Sequence, residues 1–150
     1  MLKGFPDLPP VWLLLGLVLA WVLAGWMPLV RLFGPLWQGV GVALSLAGLG
    51  VIFWAAWWFW RKKTTIEPHH EPGTLIVEGP YRLSRNPIYL GMLAILAGAV
   101  MWHGALSGVA LPVAFAVVLE RRFILPEEAA LRRAFGAEAE RYLERTRRWL

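Results

Sequence analysis

The sequence predicts an all-α integral membrane protein with four transmembrane helices, the last two forming a short hairpin, followed by an amphipathic C-terminal helix at the cytoplasmic surface. Of the 150 residues, 58% are hydrophobic, which is more apolar surface than a soluble domain of this size can bury. Long uncharged runs alternate with short basic segments, and the ten tryptophans suit the boundary between hydrocarbon and water. We therefore expect residues 1–150 to form a single membrane domain.

The first two spans are predicted at about 9–30 and 36–60. Residues 8–30 carry no charge, and about 23 residues rising ~1.5 Å each can cross a ~30 Å hydrocarbon core. A cleaved signal peptide would have a shorter apolar core and a small-residue cleavage site, so we expect this run to be retained. After a turn at Arg31, the second run begins with small residues, which favour close helix packing in lipid, and ends in an aromatic girdle.

A polar cytoplasmic loop is predicted over residues 61–86. His69, His70 and Glu71 resemble part of a metal site, but adjacent histidines point in different directions and further ligands at helical spacing are missing. We therefore expect no bound metal. Residues 74–77 favour a strand, although the sequence offers no evident partner for it.

The third and fourth spans are predicted at about 87–102 and 105–122. Asn86 is a good N-cap and Pro87 suits the first helical position. The uncharged run that follows, about 34 residues, is too long for one ordinary crossing, and His103-Gly104 marks a turn within it. We expect the charged residues 120–122 to end the fourth span.

A C-terminal helix is predicted over residues 127–148, with a possible local break at Gly136. Pro126 suits a helix start, and acidic residues in the first turn suit the helix dipole. The apolar residues of this segment form one stripe on a helix that packs on the loop or lies on the membrane; they are Leu131, Phe135, Tyr142 and Trp149.

Charge predicts the orientation of the chain. With four spans, all Lys and Arg residues except Arg31, and all acidic residues, fall on one side with both termini. By the positive-inside rule that side is the cytoplasm, and we expect any reaction centre there. The basic residues flank apolar runs, so we expect no nucleic-acid partner. The composition favours a bacterial inner membrane.

Two cytoplasmic stretches carry the chemistry-bearing residues, and together they resemble the isoprenylcysteine carboxyl methyltransferase family and the related phospholipid methyltransferases. The resemblance covers roughly residues 60–150. Its central motif is Gly79-Pro80-Tyr81-Arg82, Ser84-Arg85-Asn86-Pro87, Tyr89 and Gly91; its C-terminal motif is Glu127-Glu128, Leu131, Phe135-Gly136, Glu138 and Tyr142. Asn86 stands where eukaryotic carboxyl methyltransferases usually have His, and Ala139 replaces the first Tyr of the second motif.

The resemblance implies an integral-membrane methyltransferase that uses S-adenosylmethionine and acts on a hydrophobic or lipid-like acceptor. The acceptor is either the carboxylate of an isoprenylcysteine-like molecule or a phospholipid amine. The implied catalytic residues are Arg85 and Glu128. The implied cofactor-binding residues are Tyr81, Asn86, Pro87, Tyr89, Gly91, Glu127, Glu128 and Tyr142.

The chemistry is consistent with these residue types. Methyl displacement at a sulfonium needs alignment and exclusion of water rather than a covalent nucleophile, which suits a chain without cysteine. Aromatic faces stabilise a sulfonium cation, and an arginine such as Arg85 can orient a carboxylate or phosphate. Structural alternatives stay open: Arg82 and Arg85 as lipid contacts, Asn86 as a cap, Tyr89 as an interface anchor. A non-catalytic membrane scaffold or lipid-binding protein is the alternative function.

Overall fold

The computed structural model describes residues 7–30, 34–62 and 74–150, and this part of the chain is all-helical. Short 3-10 turns occur at Gly79–Arg82 and Leu106–Gly108. The helices are α1 (Pro9–Trp26), α2 (Pro35–Lys62), α3 (Pro87–His103), α4 (Ala110–Leu119), α5 (Leu125–Phe135) and α6 (Ala137–Arg145). Residues 74–77 form no strand. The predictions made for Arg31, His69, His70 and Glu71 lie outside the described residues.

The first four helices run antiparallel, and contacts at their ends show it. At one end, Asp7 before α1 pairs with Arg122 after α4, at 2.8 Å, and Lys62 at the end of α2 pairs with Glu78 before α3. At the other end, the N–H of Leu106 donates to the carbonyl of Val30 at 3.0 Å. Within the described ranges, every acidic residue, Lys and Arg belongs to the first end. We call it the charged end.

Two helices, α1 and α2, are long and apolar enough to cross a membrane. Helix α3 is a shorter apolar helix of 17 residues, and α4 has 10. Many large apolar side chains of α1 and α2 are exposed, for example Trp21 at 65% and Phe53 at 71%. Such surfaces are the ones that a bilayer would cover.

Glycines bring α2 and α3 into backbone contact. A Cβ placed on Gly48 would lie 2.5 Å from the carbonyl oxygen of Gly91, and a Cβ on Gly98 would overlap the carbonyl oxygen of Gly41. Close approach of this kind is what small residues allow in membrane helices. Two other glycines of α2, Gly39 and Gly50, have no atom within 4 Å of an added Cβ.

The helix of the fourth predicted span does not end at residues 120–122. It continues through a five-residue π-helical turn, Glu120–Ile124, into α5. Charge ends a membrane crossing but not a helix, and Phe123 and Ile124 are fully buried in the core, which holds the turn in place. The turn ends two residues before Pro126, whose missing N–H cannot bond to the carbonyl four residues earlier, inside the turn, and whose ring disfavours regular α-helix there. Pro126, Glu127 and Glu128 lie in the first turn of α5, as predicted. Because the helix continues from α4, the N–H groups of this turn are not the free helix end that the helix-dipole argument assumes.

The predicted C-terminal helix over 127–148 is two helices and a tail. Gly136 adopts φ 51° and separates α5 from α6, which ends at Arg145. The last residues are not helical and run back over the loop before α3, and Trp149 packs against the main core cluster. Of the predicted apolar stripe, Tyr142 is buried, whereas Leu131 and Phe135 are only partly buried.

Candidate functional site

The loop before α3 is fixed by a tight turn that packs under an indole. Gly79 adopts φ 59°, and a Cβ at this position would overlap Nε1 of Trp58. That indole nitrogen is buried and has no hydrogen-bond partner in the described structure. The next aromatic residue, Tyr81, stacks edge-on against Phe59 with ring centroids 5.8 Å apart. A glycine is required here because the indole occupies the space of any side chain.

Tyr142 joins α6 to this turn. Its hydroxyl donates to the backbone carbonyl of Tyr81 at 2.9 Å, and both side chains are buried in one apolar cluster. Burial raises the pKa of the Tyr81 phenol and of the Tyr142 phenol well above the usual range. Both phenols therefore stay neutral, and the two motifs predicted from sequence meet at this bond.

The C-terminal tail crosses the loop and is held by its polar groups. The side chains of Ser84 and Asn86 both donate to the carbonyl of Arg148, at 3.3 and 2.9 Å. The N–H of Arg85 donates to the carbonyl of Arg147 at 2.9 Å. Asn86 occupies the N-cap position of α3, as predicted, but its side chain makes no capping hydrogen bond, because its amide donates to the tail instead. Pro87 occupies the first position of α3, as predicted.

Glu128 is buried, with 4% of its surface exposed, and lies at the centre of a cluster of charged side chains whose outer members are partly exposed. Its Oε1 is 3.1 Å from Nη1 of Arg85. Arg148 donates from Nε to Oε1 at 3.0 Å and from Nη2 to Oε2 at 2.9 Å, and its third nitrogen donates to Glu120. Nε of Arg85 is buried and has no partner in the described structure. This N–H of Arg85 is therefore available to donate to a ligand.

Arg148 is a member of this cluster that the sequence did not predict. It lies beyond the end of α6, 20 positions from Glu128, so no helical spacing connects the two residues. The one sequence feature that pointed to it was its position beside Trp149, at the end of a segment predicted to be a helix with its charged residues on one side. Glu120, among the charged residues that follow the fourth predicted span, accepts from the same arginine.

Glu127 has different surroundings from its neighbour. The hydroxyl of Tyr89 on α3 donates a short hydrogen bond to its carboxylate. The Tyr89 ring packs against Phe123 of the π-helical turn, with centroids 6.2 Å apart. Burial raises the pKa of the Glu127 carboxyl to about 7, and the Tyr89 hydrogen bond opposes that rise in part. A carboxyl that exchanges its proton near neutral pH is a candidate for acid–base chemistry.

Two further predicted site residues, Gly91 and Pro87, have packing positions, whereas the motif residue Arg82 does not. Gly91 is buried against α2, where an added Cβ would lie 2.5 Å from the carbonyl oxygen of Gly48. Pro87 is fully buried, and Arg82 is exposed. Within the described ranges, no group of three or more His, Cys, Asp or Glu residues could hold a metal ion.

A family model described as phospholipid methyltransferase matches residues 36–138, well over half of the chain. The match begins at the start of α2 and ends in α6, so it includes the loop before α3 and both glutamates after the π-helical turn. No curated protein and no solved structure matches the chain.

Proposed function

Because the chain belongs to the phospholipid methyltransferase family, as the resemblance of its two motifs indicated, we propose that it is a membrane-embedded methyltransferase. It uses S-adenosylmethionine and transfers the methyl group to a hydrophobic or lipid-like acceptor. The observation that carries the proposal is the meeting of the two motifs at the charged end. There Glu128 of one motif pairs with Arg85 of the other, and Tyr142 bonds to Tyr81.

The proposed membrane arrangement has four crossings, formed by α1, α2, α3 and the stretch through α4. Contacts at both ends make these helices antiparallel. In the described ranges the charges gather at one end, which by the positive-inside rule faces the cytoplasm. The reaction centre then lies at the cytoplasmic surface of the bilayer, within reach of lipid headgroups.

The residues present fit S-adenosylmethionine, which supplies an electrophilic methyl group on a sulfonium. Among the described residues, two buried donors lack partners, Nε of Arg85 and Nε1 of Trp58. Unpaired buried donors are costly unless a ligand accepts from them. The carboxylates of Glu127 and Glu128 can accept from hydroxyl or ammonium groups. The tyrosine rings at positions 81, 89 and 142 offer aromatic faces to a cation.

Arg85 is the proposed residue for orienting an anionic group of the acceptor, and Glu128 fixes it. The carboxylate of Glu128 holds Nη1 of Arg85, so the guanidinium keeps one orientation while Nε stays available. Asn86 and Pro87 set the start of α3 beside it. The catalytic contribution of these residues is alignment of the reactants in a water-poor site.

Calorimetric titration of the detergent-purified protein with S-adenosylmethionine and S-adenosylhomocysteine tests the proposal. We expect micromolar binding to the native chain and a loss of about 1–3 kcal/mol of binding free energy in Glu128→Gln, the range for charge-assisted contacts. Glu144→Gln, on the exposed surface of α6, is the matched control and keeps native affinity. Absence of binding to folded protein, both in detergent and in lipid bilayers, would overturn the proposal.

A further inference from the structure

Arg148 lies in the C-terminal tail, outside the stretch that the family model matches. The match ends at residue 138, and Arg148 follows the end of α6 at Arg145. Its backbone carbonyl nevertheless accepts from Ser84 and Asn86 of the central motif, and its side chain reaches Glu128. The family match therefore assigns no role to a residue that the structure connects to both motifs.

Two guanidinium groups meet at the carboxylate of Glu128, and they hold it unequally. Arg148 engages both oxygens, from Nε to Oε1 at 3.0 Å and from Nη2 to Oε2 at 2.9 Å. This two-bond geometry is stronger and more directional than a single contact. Arg85 forms an ion pair with Oε1 through Nη1, at 3.1 Å. The carboxylate is therefore oriented by Arg148 rather than by Arg85.

The unequal sharing explains why a donor of Arg85 stays open. Nε of Arg85 is buried and has no partner in the described structure. On a guanidinium, Nε–H and one of the NH₂ groups form an edge that binds a carboxylate or phosphate through two parallel bonds. Arg148 uses this edge on Glu128. If both oxygens were released, Glu128 would take the same edge of Arg85, because an unpaired buried donor is costly.

Arg148 is itself held on a second side. Its Nη1 donates to Glu120 in the π-helical turn, and the next residue, Trp149, packs against the main core cluster. The guanidinium of Arg148 therefore lies between two carboxylates, those of Glu120 and Glu128. This arrangement keeps its planar group aligned with Glu128.

We propose that Arg148 is a positioning residue of the site. By occupying both oxygens of Glu128, it keeps that carboxylate from pairing with the Nε edge of Arg85. The edge then stays free for an oxyanion of the acceptor, a phosphate or a carboxylate. Arg148 touches neither reactant and acts through Glu128. The inference rests on the proposed function and deepens it, because it assigns to the tail the control of the anion-binding edge of Arg85.

Calorimetric titration of the detergent-purified full chain with two soluble lipids tests the inference. One is short-chain phosphatidic acid, whose charge is all on its phosphate, and the other is a farnesylated N-acetylcysteine, whose one charge is its carboxylate. In Arg148→Lys an ammonium still balances the charge of Glu128 but offers no two-bond edge. For each lipid that the native chain binds, we expect Kd to rise about 10–100-fold, the factor for one hydrogen bond to a charged group.

Two further variants accompany Arg148→Lys. Arg145→Lys is the matched control, because it makes the same substitution at an exposed residue that ends α6, and it should keep the native Kd. Arg148→Gln offers an amide donor but neither charge nor a two-bond edge, and we expect of it a rise in Kd at least as large as that of Arg148→Lys.

The same titrations in a Glu128→Gln background separate positioning from mere support of the tail. A neutral glutamine does not compete for Arg85, so Arg148→Lys should change Kd by less than about threefold in that background. A residue that only anchors the tail would weaken binding by the same factor in both backgrounds, because its bond to Glu120 is present in both.

Four results would overturn the inference. They are native binding of neither lipid, a native Kd in both Arg148 variants, an equal rise in Arg145→Lys, and an undiminished effect of Arg148→Lys in the Glu128→Gln background. Each of these leaves the proposed function standing if the native chain binds S-adenosylhomocysteine. A folded native chain that binds no cofactor overturns the proposed function itself.

Discussion

Replacing glycines on two faces of α2 tests the proposed helix packing within one element. Gly48 faces α3, where an added Cβ would lie 2.5 Å from the carbonyl oxygen of Gly91. Gly50, two positions later, faces away from the bundle and has no atom within 4 Å of an added Cβ. The substitution to alanine is chemically identical at the two positions, so any difference reports contact with α3.

The magnitude follows from the missing space. Ordinary contacts of a Cβ begin at 3.4 Å, so Gly48→Ala must move α2 and α3 apart by about 0.9 Å, the difference from 2.5 Å. The obstructing atom, the carbonyl oxygen of Gly91, belongs to the backbone of α3 and cannot rotate away. Overpacking of this kind costs about 1–3 kcal/mol. Gly50→Ala should be neutral or stabilising by up to about 1 kcal/mol, because alanine has the higher helix propensity.

The assay is reversible unfolding in mixed micelles with increasing sodium dodecyl sulfate, followed by tryptophan fluorescence. We expect Gly48→Ala to unfold at lower detergent fraction than the native chain, and Gly50→Ala at the same or a higher fraction. Equal unfolding midpoints for the two variants would refute the backbone contact between α2 and α3.

Three further predictions concern the charged end. Burial raises the pKa of the Glu127 carboxyl from 4.5 to about 7 in the folded protein, so the free energy of unfolding falls as pH rises between these values. In chemical unfolding, the free energy of unfolding of Glu127→Gln should therefore exceed that of the native chain by on the order of 3 kcal/mol at pH 8 and equal it at pH 4. Arg148→Ala should cost about 1–3 kcal/mol by leaving a buried carboxylate underpaired, whereas Arg132→Ala, in an exposed pair, should cost less than about 1 in the same assay. Gly79→Ala, which overlaps the Trp58 indole, should cost about 2 kcal/mol or more; an unchanged thermal midpoint would contradict it.

The sequence predicted the helices that an uncharged run defines. Helices α1, α2 and α3 fall within or close to the predicted runs, because exclusion of charge from hydrocarbon is a strong and local signal. The sequence did not predict that α4 continues into α5. The charged residues at 120–122 mark where a membrane crossing ends, but a helix can continue past that point. The break at Gly136 was anticipated as a possibility because glycine tolerates positive φ.

The residues of the candidate site were predicted better than their contacts. The family motifs include Tyr81, Arg85, Glu128 and Tyr142, which the structure brings together. The tail could not be predicted, because Ser84 and Asn86 bind it through a backbone carbonyl, a group that every residue carries. Arg148 was missed for another reason: it lies outside both motifs and 20 positions from Glu128, although its side chain makes two of the bonds to that residue.

The π-helical turn Glu120–Ile124 determines the directions in which Glu127 and Glu128 point. In an uninterrupted α-helix, at 100° per residue, Glu127 would stand about 20° from the direction of Glu120 and Glu128 about 80° from it. The π-helical turn has more residues per turn than an α-helix, so the residues after it lag behind an α-helix by roughly the rotation of one residue. Glu128 therefore comes into line with Glu120 and shares Arg148 with it. Glu127 points towards Tyr89. The different surroundings of the two glutamates therefore follow from the number of residues in this turn. If the turn were regular α-helix at unchanged length, Glu127 rather than Glu128 would come into line with Glu120.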